Sequence, residues 1–216
     1  MEIKIAGHVF TPQRVFCVGR NYAAHARELQ NDIPDEPVIF CKPATALVFP
    51  EHKTIPFPGF GKNLHYETEL VVLIGREGQP DNETDAVNYI AGLTTGFDLT
   101  MRDVQDKLRE QGLPWEKSKA FDFSAPVGKF HKFDQNTDLN NITFSGSVNG
   151  VVRQRGNTGN MLFSIPRLLT ELGKYWKLLP GDVLFTGTPE GVDALHSGDE
   201  IEAVAPCGNA FSWKID

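Results

Sequence analysis

The sequence is short of cysteine and of positive charge. Three cysteines, Cys17, Cys41 and Cys207, occur in 216 residues, and their odd number and wide spacing argue against a disulfide framework or a cysteine metal site. Lys and Arg total 21 against 28 Asp and Glu, which gives a formal net charge of −7. Nucleic acids and anionic membranes need a basic protein face, so we expect neither as a partner.

Long apolar runs and several catalytic motifs are also missing. No run approaches the length of a membrane-spanning helix and no signal peptide opens the sequence, so we expect a cytoplasmic protein. The phosphate-binding patterns GxGxxG and GxxxxGK[ST] and the serine-hydrolase pattern GxSxG are absent, which disfavours nucleotide chemistry and serine hydrolysis. Cys17 and Cys41 lie in strand-like apolar runs and are predicted to be inert core thiols.

What is present indicates one mostly β domain with a few helices, of the α+β class, over residues 1–216. Residues 1–14 are predicted to form a short hairpin that turns near Gly7. Further strands are predicted at 15–18, 38–41, 71–75, 91–97 and 183–186. Asn149-Gly150 is the strongest hairpin signal in the chain.

Three helices are predicted, over 20–29, 100–109 and 161–174, the last interrupted at Pro166. Asn21 stands in a capping position for the first helix. The turn-rich segment 31–37 that follows is expected to act as a mobile lid.

The stretch before the apolar run 71–75 carries paired acidic residues. Strand alternation places His65, Glu67 and Glu69 on one face, where the two carboxylates repel each other. Either water on an exposed edge or a bound cation could compensate. Two carboxylates favour a hard ion such as Mg²⁺, Mn²⁺ or Ca²⁺ over zinc.

Two helices carry further polar groups. His25 and Glu28 are three residues apart and therefore neighbours on one helix face. Asp98, Arg102, Gln105 and Arg109 are spaced to form one polar stripe. Without further context, a solvated surface is the preferred interpretation of both sets.

Six blocks, in order, resemble the fumarylacetoacetate hydrolase family, and the resemblance runs from Gly19 to Asp199. They are Gly19-Arg20-Asn21-Tyr22 with His25 and Glu28, Phe40-Cys41-Lys42-Pro43, His65-Tyr66-Glu67-Thr68-Glu69-Leu70, Phe97-Asp98-Leu99-Thr100-Met101-Arg102-Asp103-Val104-Gln105, Lys119-Ala120-Phe121-Asp122, and Thr186-Gly187-Thr188-Pro189-Glu190-Gly191-Val192. The resemblance implies a mixed β-sandwich roll, a homodimer, and a divalent metal, Mg²⁺ or Mn²⁺ with Ca²⁺ as a further possibility. The implied ligands are Glu67, Glu69 and Asp98.

The resemblance also implies roles for the other polar residues. His25 and Glu28 would form a catalytic dyad, and Lys119, preferred to Lys117 because it precedes the Ala-Phe-Asp block, would stabilise an oxyanion. The alternative for Arg102 is a salt bridge to Asp98 or Asp103 that positions the metal ligand. His65 is expected to lie near the metal without binding it. The implied substrate-binding residues are Arg20, Lys42, Arg102, Gln105, Gly187 and Thr188.

The implied substrate is a small 2-oxo acid. The leading hypothesis is hydrolysis of acylpyruvates, such as fumarylpyruvate or acetylpyruvate, to pyruvate and a carboxylic acid. The alternatives are keto–enol tautomerisation or decarboxylation of oxaloacetate, and an isomerase or decarboxylase of aromatic catabolism. A metal-binding protein without catalytic activity is the remaining alternative, and the complete set of polar residues argues against it.

Overall fold

The structure is a computed structural model that describes residues 2–28 and 32–216. Within those ranges the strands are β1 Ile3–Ile5, β2 His8–Phe10, β3 Arg14–Gly19, β4 Val38–Pro43, β5 Leu47–Val48, β6 Thr54–Ile55, β7 Leu64–Tyr66, β8 Thr68–Ile74, β9 Ile90–Phe97, β10 Thr100–Met101, β11 Ala125–Pro126, β12 His131–Lys132, β13 Thr143–Val148, β14 Val151–Asn157, β15 Val183–Phe185, β16 Asp193–Ala194, β17 Glu200–Val204 and β18 Ala210–Ile215. The α-helices are α1 Ala23–Glu28, α2 Glu83–Ala86, α3 Arg102–Glu110, α4 Glu116–Lys119 and α5 Ile165–Tyr175.

The central sheet has six strands in the order β12-β9-β8-β15-β3-β4. Strand β15 runs parallel to β3, and the other neighbours are antiparallel. Strand β8 is buried along its whole length, as its apolar sequence predicted. Because successive side chains alternate faces, Leu70 and Val72 pack in the cluster that contains helix α5, while Val71 and Leu73 pack on the opposite face. Both faces of this sheet are therefore covered by hydrophobic core.

A second sheet, in the order β14-β13-β17-β18-β6, forms another layer. Its core cluster joins Trp213 of β18 to Phe97 of β9, whose rings meet edge-on with centroids 6.1 Å apart. Three smaller sheets consist of the strands β10-β7-β16, β5-β11 and β1-β2. The mostly β, single-domain fold class predicted from the sequence is confirmed.

The predicted hairpins are present. Strands β1 and β2 are joined through Ala6 and Gly7, with φ angles of 47° and 82°, and β13 and β14 through Asn149 and Gly150, with φ angles of 51° and 73°. Two consecutive positive φ angles belong to the tight turn whose twist matches antiparallel strands.

Helix α1 begins at Ala23, three residues later than predicted. Arg20 has a φ of 60°, which is incompatible with a right-handed helix. The Asn21 side chain does not cap the helix. It instead donates to the carbonyls of Phe163 and Thr186 and accepts from the Phe163 amide. The predicted end of this helix at Leu29 and the first residue of segment 31–37 lie outside the described residues.

Two further helix boundaries differ from the prediction. Helix α5 begins at Ile165, where Ser164 caps it by accepting from the Arg167 amide, and Pro166 lies in the first turn. A proline there breaks no helical hydrogen bond, so the predicted interruption is wrong. Residues 100–101 form strand β10, and α3 starts at Arg102.

The two cysteines that were predicted to be core thiols differ in their exposure to solvent. Cys17 on β3 is completely buried, but Cys41 is exposed because β4 lies at the edge of the central sheet. Among the helices of residues 2–28 and 32–216, none is long and apolar enough to cross a membrane.

Candidate active site

Three carboxylates meet where β8 and β9 lie side by side. Thr68 pairs with Phe97 across these strands, so Glu67, Glu69 and Asp98 cluster at one end of the pair. The Asp98 amide donates to the Glu67 carbonyl at 2.8 Å. One oxygen from each carboxylate lies within 4.8 Å of the other two. Glu67, Glu69 and Asp98 are 5%, 1% and 1% exposed, so the alternative of a solvated strand edge is wrong.

Cationic side chains contact two of the three carboxylates. Lys119 and Arg102 contact Glu67, and Lys119 and Lys42 contact Asp98. Glu69 accepts from a backbone amide, that of Gly187.

Burial, together with the charges of Asp98 and Glu67, raises the pKa of Glu69 well above its ordinary value. Burial would also raise the pKa of Glu67, but the Lys119 ammonium and the Arg102 guanidinium hold it below its usual range. Unequal pKa values of this kind mark sites that are built for a further cation or for proton transfer.

Lys119, at the end of α4, is the ammonium that bridges the cluster. Its Nζ lies 2.7 Å from Glu67 Oε2 and 2.6 Å from Asp98 Oδ2. Burial alone would lower the pKa of Lys119, but the Asp98 and Glu67 charges raise it above its usual value. The side chain therefore remains charged although it is buried.

The three carboxylates fit a divalent metal. All the candidate ligand atoms are carboxylate oxygens and the groups are buried, which suits Mg²⁺, Mn²⁺ or Ca²⁺. Glu69 is oriented by the Gly187 amide, which donates to its Oε2 at 2.7 Å. Glu67, Glu69 and Asp98 would hold such an ion.

Arg102 and Gln105 form the wall beside Glu67. The Arg102 guanidinium lies 2.5 Å from Glu67 Oε1 and donates to Gln105 Oε1 at 2.5 Å. The alternative pairing of Arg102 with Asp98 or Asp103 is wrong, because Asp103 instead accepts from the amides of residues 62 and 63. Arg102 thus orients a candidate metal ligand and also faces the cleft.

The predicted dyad is assembled on helix α1. His25 Nδ1 lies 3.3 Å from Glu28 Oε2, and the Gly191 amide donates to both Glu28 oxygens at 3.0 and 3.2 Å. Burial lowers the pKa of His25, against the opposing effect of the Glu67 charge. A neutral imidazole at neutral pH is able to accept a proton.

Lys42 lies behind the carboxylates. Its side chain is completely buried, its Nζ lies 2.7 Å from Asp98 Oδ1, and it donates to the carbonyls of Leu99, Lys119 and Ser124. The expectation that Lys42 binds substrate is therefore wrong. It connects Asp98 to the backbone that carries Lys119.

The loop after β15 supports the cluster. The Gly187 amide is directed at Glu69, so the structure does not place it on a substrate carboxylate as expected. Thr188 lines the cleft, but its hydroxyl donates to the Thr68 carbonyl at 2.9 Å and accepts from Gln154 at 2.8 Å. Gln154 also accepts from the Thr68 amide. No local spacing in the sequence identifies this glutamine.

A narrow cleft with a cavity volume of about 30 Å³ opens to solvent and joins these groups. Its lining contains eight of the predicted site residues: Arg20, His25, Glu67, Glu69, Arg102, Gln105, Lys119 and Thr188. It also contains Phe40, Trp115 and Arg109, which were not assigned to the site. The polar stripe on α3 is the signal that could have identified Arg109. His65 is half-buried in β7 and does not line this cleft.

The sequence of the chain matches one protein family and two relatives of known activity. Residues 14–210 match the model of the fumarylacetoacetate (FAA) hydrolase C-terminal family. The chain is 44% identical to the oxaloacetate tautomerase YcgM of Escherichia coli, with 94% of this chain and 92% of that protein covered. It is 42% identical to the mitochondrial oxaloacetate tautomerase FAHD1 of Bos taurus, with the same coverage.

The fold of the chain is also similar to that of a solved structure. The fold superposes with a TM-score of 0.93 on the fumarylpyruvate hydrolase of Pseudomonas aeruginosa in complex with Mn²⁺ and pyruvate, with 38% identity, 100% of this chain and 95% of that chain covered. The chain is a member of the fumarylacetoacetate hydrolase family, as its six sequence blocks predicted.

Proposed function

We propose that this protein is a metal-dependent enzyme that interconverts the keto and enol forms of oxaloacetate. The observation that carries the proposal is one cleft lined by Glu67, Glu69, the Lys119 ammonium and the His25 imidazole. Asp98 is clustered with the two glutamates. The similarity to oxaloacetate tautomerases at 42% and 44% identity supports this substrate.

The side chains provide both parts of a tautomerisation. A divalent cation on Glu67, Glu69 and Asp98 would supply Lewis-acid polarisation of the 2-oxo group. Lys119 stabilises the negative charge that develops on the substrate oxygen when the C3 proton leaves. His25 accepts that proton, and the Glu28 carboxylate stabilises the imidazolium that results. The imidazolium then gives the proton to the enolate oxygen, which completes the enol.

Hydrolysis of acylpyruvates is the second candidate reaction. The observation that favours it is the orientation of the dyad, in which the Gly191 amide fixes Glu28 and Glu28 orients His25. His25 would take a proton from water as the water oxygen adds to the 4-oxo carbon. The C3–C4 bond then breaks, and C3 of the pyruvate product receives a proton. The similarity to a fumarylpyruvate hydrolase supports this reaction.

One pair of assays tests both reactions. We would follow the loss of enol oxaloacetate by ultraviolet absorbance and the cleavage of acetylpyruvate by proton NMR, each with Mg²⁺ and with EDTA. We expect Mg²⁺-dependent tautomerisation that EDTA abolishes. If the protein accelerates neither reaction with Mg²⁺, the proposed function is wrong.

Glu28→Gln separates the two reactions. Glu28 orients and charges the His25 base in both reactions, and general-base catalysis contributes about 10²–10⁴-fold. We expect acetylpyruvate cleavage, in which His25 must activate water, to fall by up to that factor. Tautomerisation should fall less, because the C3 proton is already made acidic by the adjacent 2-oxo group. Arg27→Gln, at an exposed neighbouring position on α1, is the matched control. Full hydrolytic activity in Glu28→Gln would contradict the dyad assignment.

Three finer points stay predictions. The native metal is proposed to be Mg²⁺ or Mn²⁺, the assembly a homodimer, and the location cytoplasmic, although the bovine relative is mitochondrial. Light scattering of the purified protein tests the dimer, and metal analysis of protein purified without chelators tests the ion.

A further inference from the structure

The glutamine on strand β14 is buried although most of that strand is exposed. Strand β14 lies at the edge of the second sheet, and Gln154 is 1% exposed. The pairing of β14 with β13 is irregular at this point, since Gly146 pairs with Gln154 but Ser147 pairs with Val152. A bulge of this kind bends a strand and redirects its side chains, and bulges are frequent beside active sites. Here it accompanies a polar side chain that points into the protein.

The Gln154 side-chain amide makes hydrogen bonds at both ends. Its Oε1 accepts from the Thr68 amide at 2.7 Å, and its Nε2 donates to Thr188 Oγ1 and to the Pro189 carbonyl, both at 2.8 Å. Because a backbone amide can only donate and a carbonyl can only accept, these partners fix the orientation of the side chain. A glutamate carboxylate could not donate to Pro189, and an apolar side chain could satisfy none of the three groups. Glutamine is therefore matched to this position.

The partners of Gln154 belong to two parts of the candidate active site. Thr68 lies in β8, next to the candidate metal ligands Glu67 and Glu69. The other two partners belong to the loop 186–191, which follows β15. Gln154 thus connects the strand that carries the candidate ligands to this loop.

The same loop orients the dyad. The Gly191 amide donates to both Glu28 oxygens, and Glu28 Oε2 lies 3.3 Å from His25 Nδ1. Gly191 has a φ of 97°, and a Cβ at this position would lie 2.5 Å from the Arg153 carbonyl oxygen. The loop backbone is therefore packed directly against β14, and β14 sets the position of the amide that holds Glu28.

We propose that Gln154 is a positioning residue for the dyad. It holds the loop 186–191 against β8, and the loop in turn keeps Glu28 oriented toward His25. This inference rests on the proposed function and adds to the dyad a residue of the second sheet. Within the described part of the chain, the lining of the cleft does not include Gln154. Its effect on the reaction is therefore exerted through Glu28 and not through contact with the substrate.

The variant Gln154→Met tests this role, because methionine has a similar length but makes none of the three hydrogen bonds. Activity is measured with saturating Mg²⁺ on enol oxaloacetate and on acetylpyruvate. A small misplacement of a catalytic group costs up to about 100-fold in rate, so we expect kcat to fall by about 10- to 100-fold. KM should change little, because Gln154 does not contact the substrate.

A double-mutant cycle shows whether Gln154 acts through Glu28. If it does, Glu28→Gln already removes most of what Gln154 protects. Adding Gln154→Met to Glu28→Gln should then lower kcat by only about threefold or less, whereas independent effects would multiply.

Hydrogen exchange measured by mass spectrometry reports on the loop without reference to activity. The amides of Gly187 and Gly191 are hydrogen-bonded to carboxylates of the site. Loss of the Gln154 hydrogen bonds should speed exchange in the peptide 186–192 by at least about tenfold. Exchange in helix α5 should change less.

The matched control is Thr158→Val. Thr158 is also buried, directly follows β14, and accepts from the Ile142 amide at 2.9 Å through its Oγ1. This variant should leave both kcat and the exchange of the loop unchanged. If Gln154→Met fails to fold, Gln154→Asn replaces it, since asparagine keeps an amide but is too short to reach both β8 and the loop.

Three results would overturn the positioning role: an unchanged kcat in the Gln154 variant, an equal loss of kcat in the Glu28→Gln background, or unchanged exchange in the loop. If the unaltered protein is inactive on both substrates, the proposed function is wrong instead. The exchange measurement then still decides whether Gln154 holds the loop.

Discussion

Replacing Lys119 by methionine tests how the buried carboxylates are held. The Lys119 ammonium contacts both Glu67 and Asp98, and all three side chains are at most 6% exposed. Methionine has a similar length but cannot donate a hydrogen bond. Without a metal ion, the variant would leave Glu67, Glu69 and Asp98 with less positive charge beside them.

The expected loss of unfolding free energy follows from typical values for buried ion pairs. Removing one partner of a buried ion pair costs about 3–5 kcal/mol of unfolding free energy. For a chain of this size each kcal/mol shifts Tm by about 2–4 °C, so Lys119→Met should melt about 6–20 °C lower in EDTA. A ligand at a hundred times its Kd adds about 2.7 kcal/mol. Mg²⁺ should therefore recover a large part of the loss.

Thermal denaturation with EDTA and with Mg²⁺ is the assay, and Lys117→Met, exposed on the same helix, is the matched control. The increase in Tm on adding Mg²⁺ should be larger for Lys119→Met than for the unaltered protein, because the ion replaces the missing charge. An unchanged Tm in EDTA, or an equal increase in both proteins, would refute the proposed electrostatic role of Lys119.

Three other predictions concern the dyad, the supporting loop and the buried lysine. Because burial lowers the pKa of His25 from its ordinary value of 6.5, the acidic limb of kcat/KM for acetylpyruvate should be centred below that pH. Gly187→Ala places a Cβ 2.6 Å from Asn21 Cβ at a φ of 101°, so it should cost at least about 1–2 kcal/mol and lower Tm in chemical or thermal unfolding. Lys42→Met removes the buried ammonium that contacts Asp98 and three backbone carbonyls, so it should lower Tm in thermal unfolding with EDTA.

Each of these predictions has a contradicting result. For His25 the contradicting result is a pH profile of kcat/KM whose acidic limb is centred at or above pH 6.5. Since Glu28 raises the pKa of His25, Glu28→Gln should move any remaining limb to lower pH, and a shift to higher pH would also contradict the assignment. For Gly187→Ala it is an unchanged Tm. For Lys42→Met it is an unchanged Tm with EDTA.

Local patterns predicted much of the fold. The uninterrupted apolar run identified β8, and the Asn149-Gly150 pair identified the hairpin of β13 and β14, because in both cases the determining contacts lie within a few residues. The errors arose where the local signal had two meanings. Pro166 can interrupt a helix or occupy its first turn, and the choice depends on the cap at Ser164.

The site was predictable as a set of residues but less so as a set of contacts. Strand alternation placed Glu67 and Glu69 together, and the family resemblance supplied Asp98. The sequence could not show that Lys42 points behind the cluster, because that depends on carbonyls more than fifty positions away. Gln154 was missed for the same reason, since its partner Thr68 is 86 positions distant.

The most direct test of the proposed function is the rate of oxaloacetate tautomerisation by metal-depleted protein to which Mg²⁺ is added back, with Glu69→Gln measured alongside. The tautomerisation rate of the unaltered protein should be lost when the metal is removed and restored as Mg²⁺ is titrated back. The Glu69→Gln variant should need far more Mg²⁺ or stay inactive. A rate that survives depletion, or a Glu69→Gln variant with the same Mg²⁺ dependence as the unaltered protein, would contradict a catalytic metal on these carboxylates.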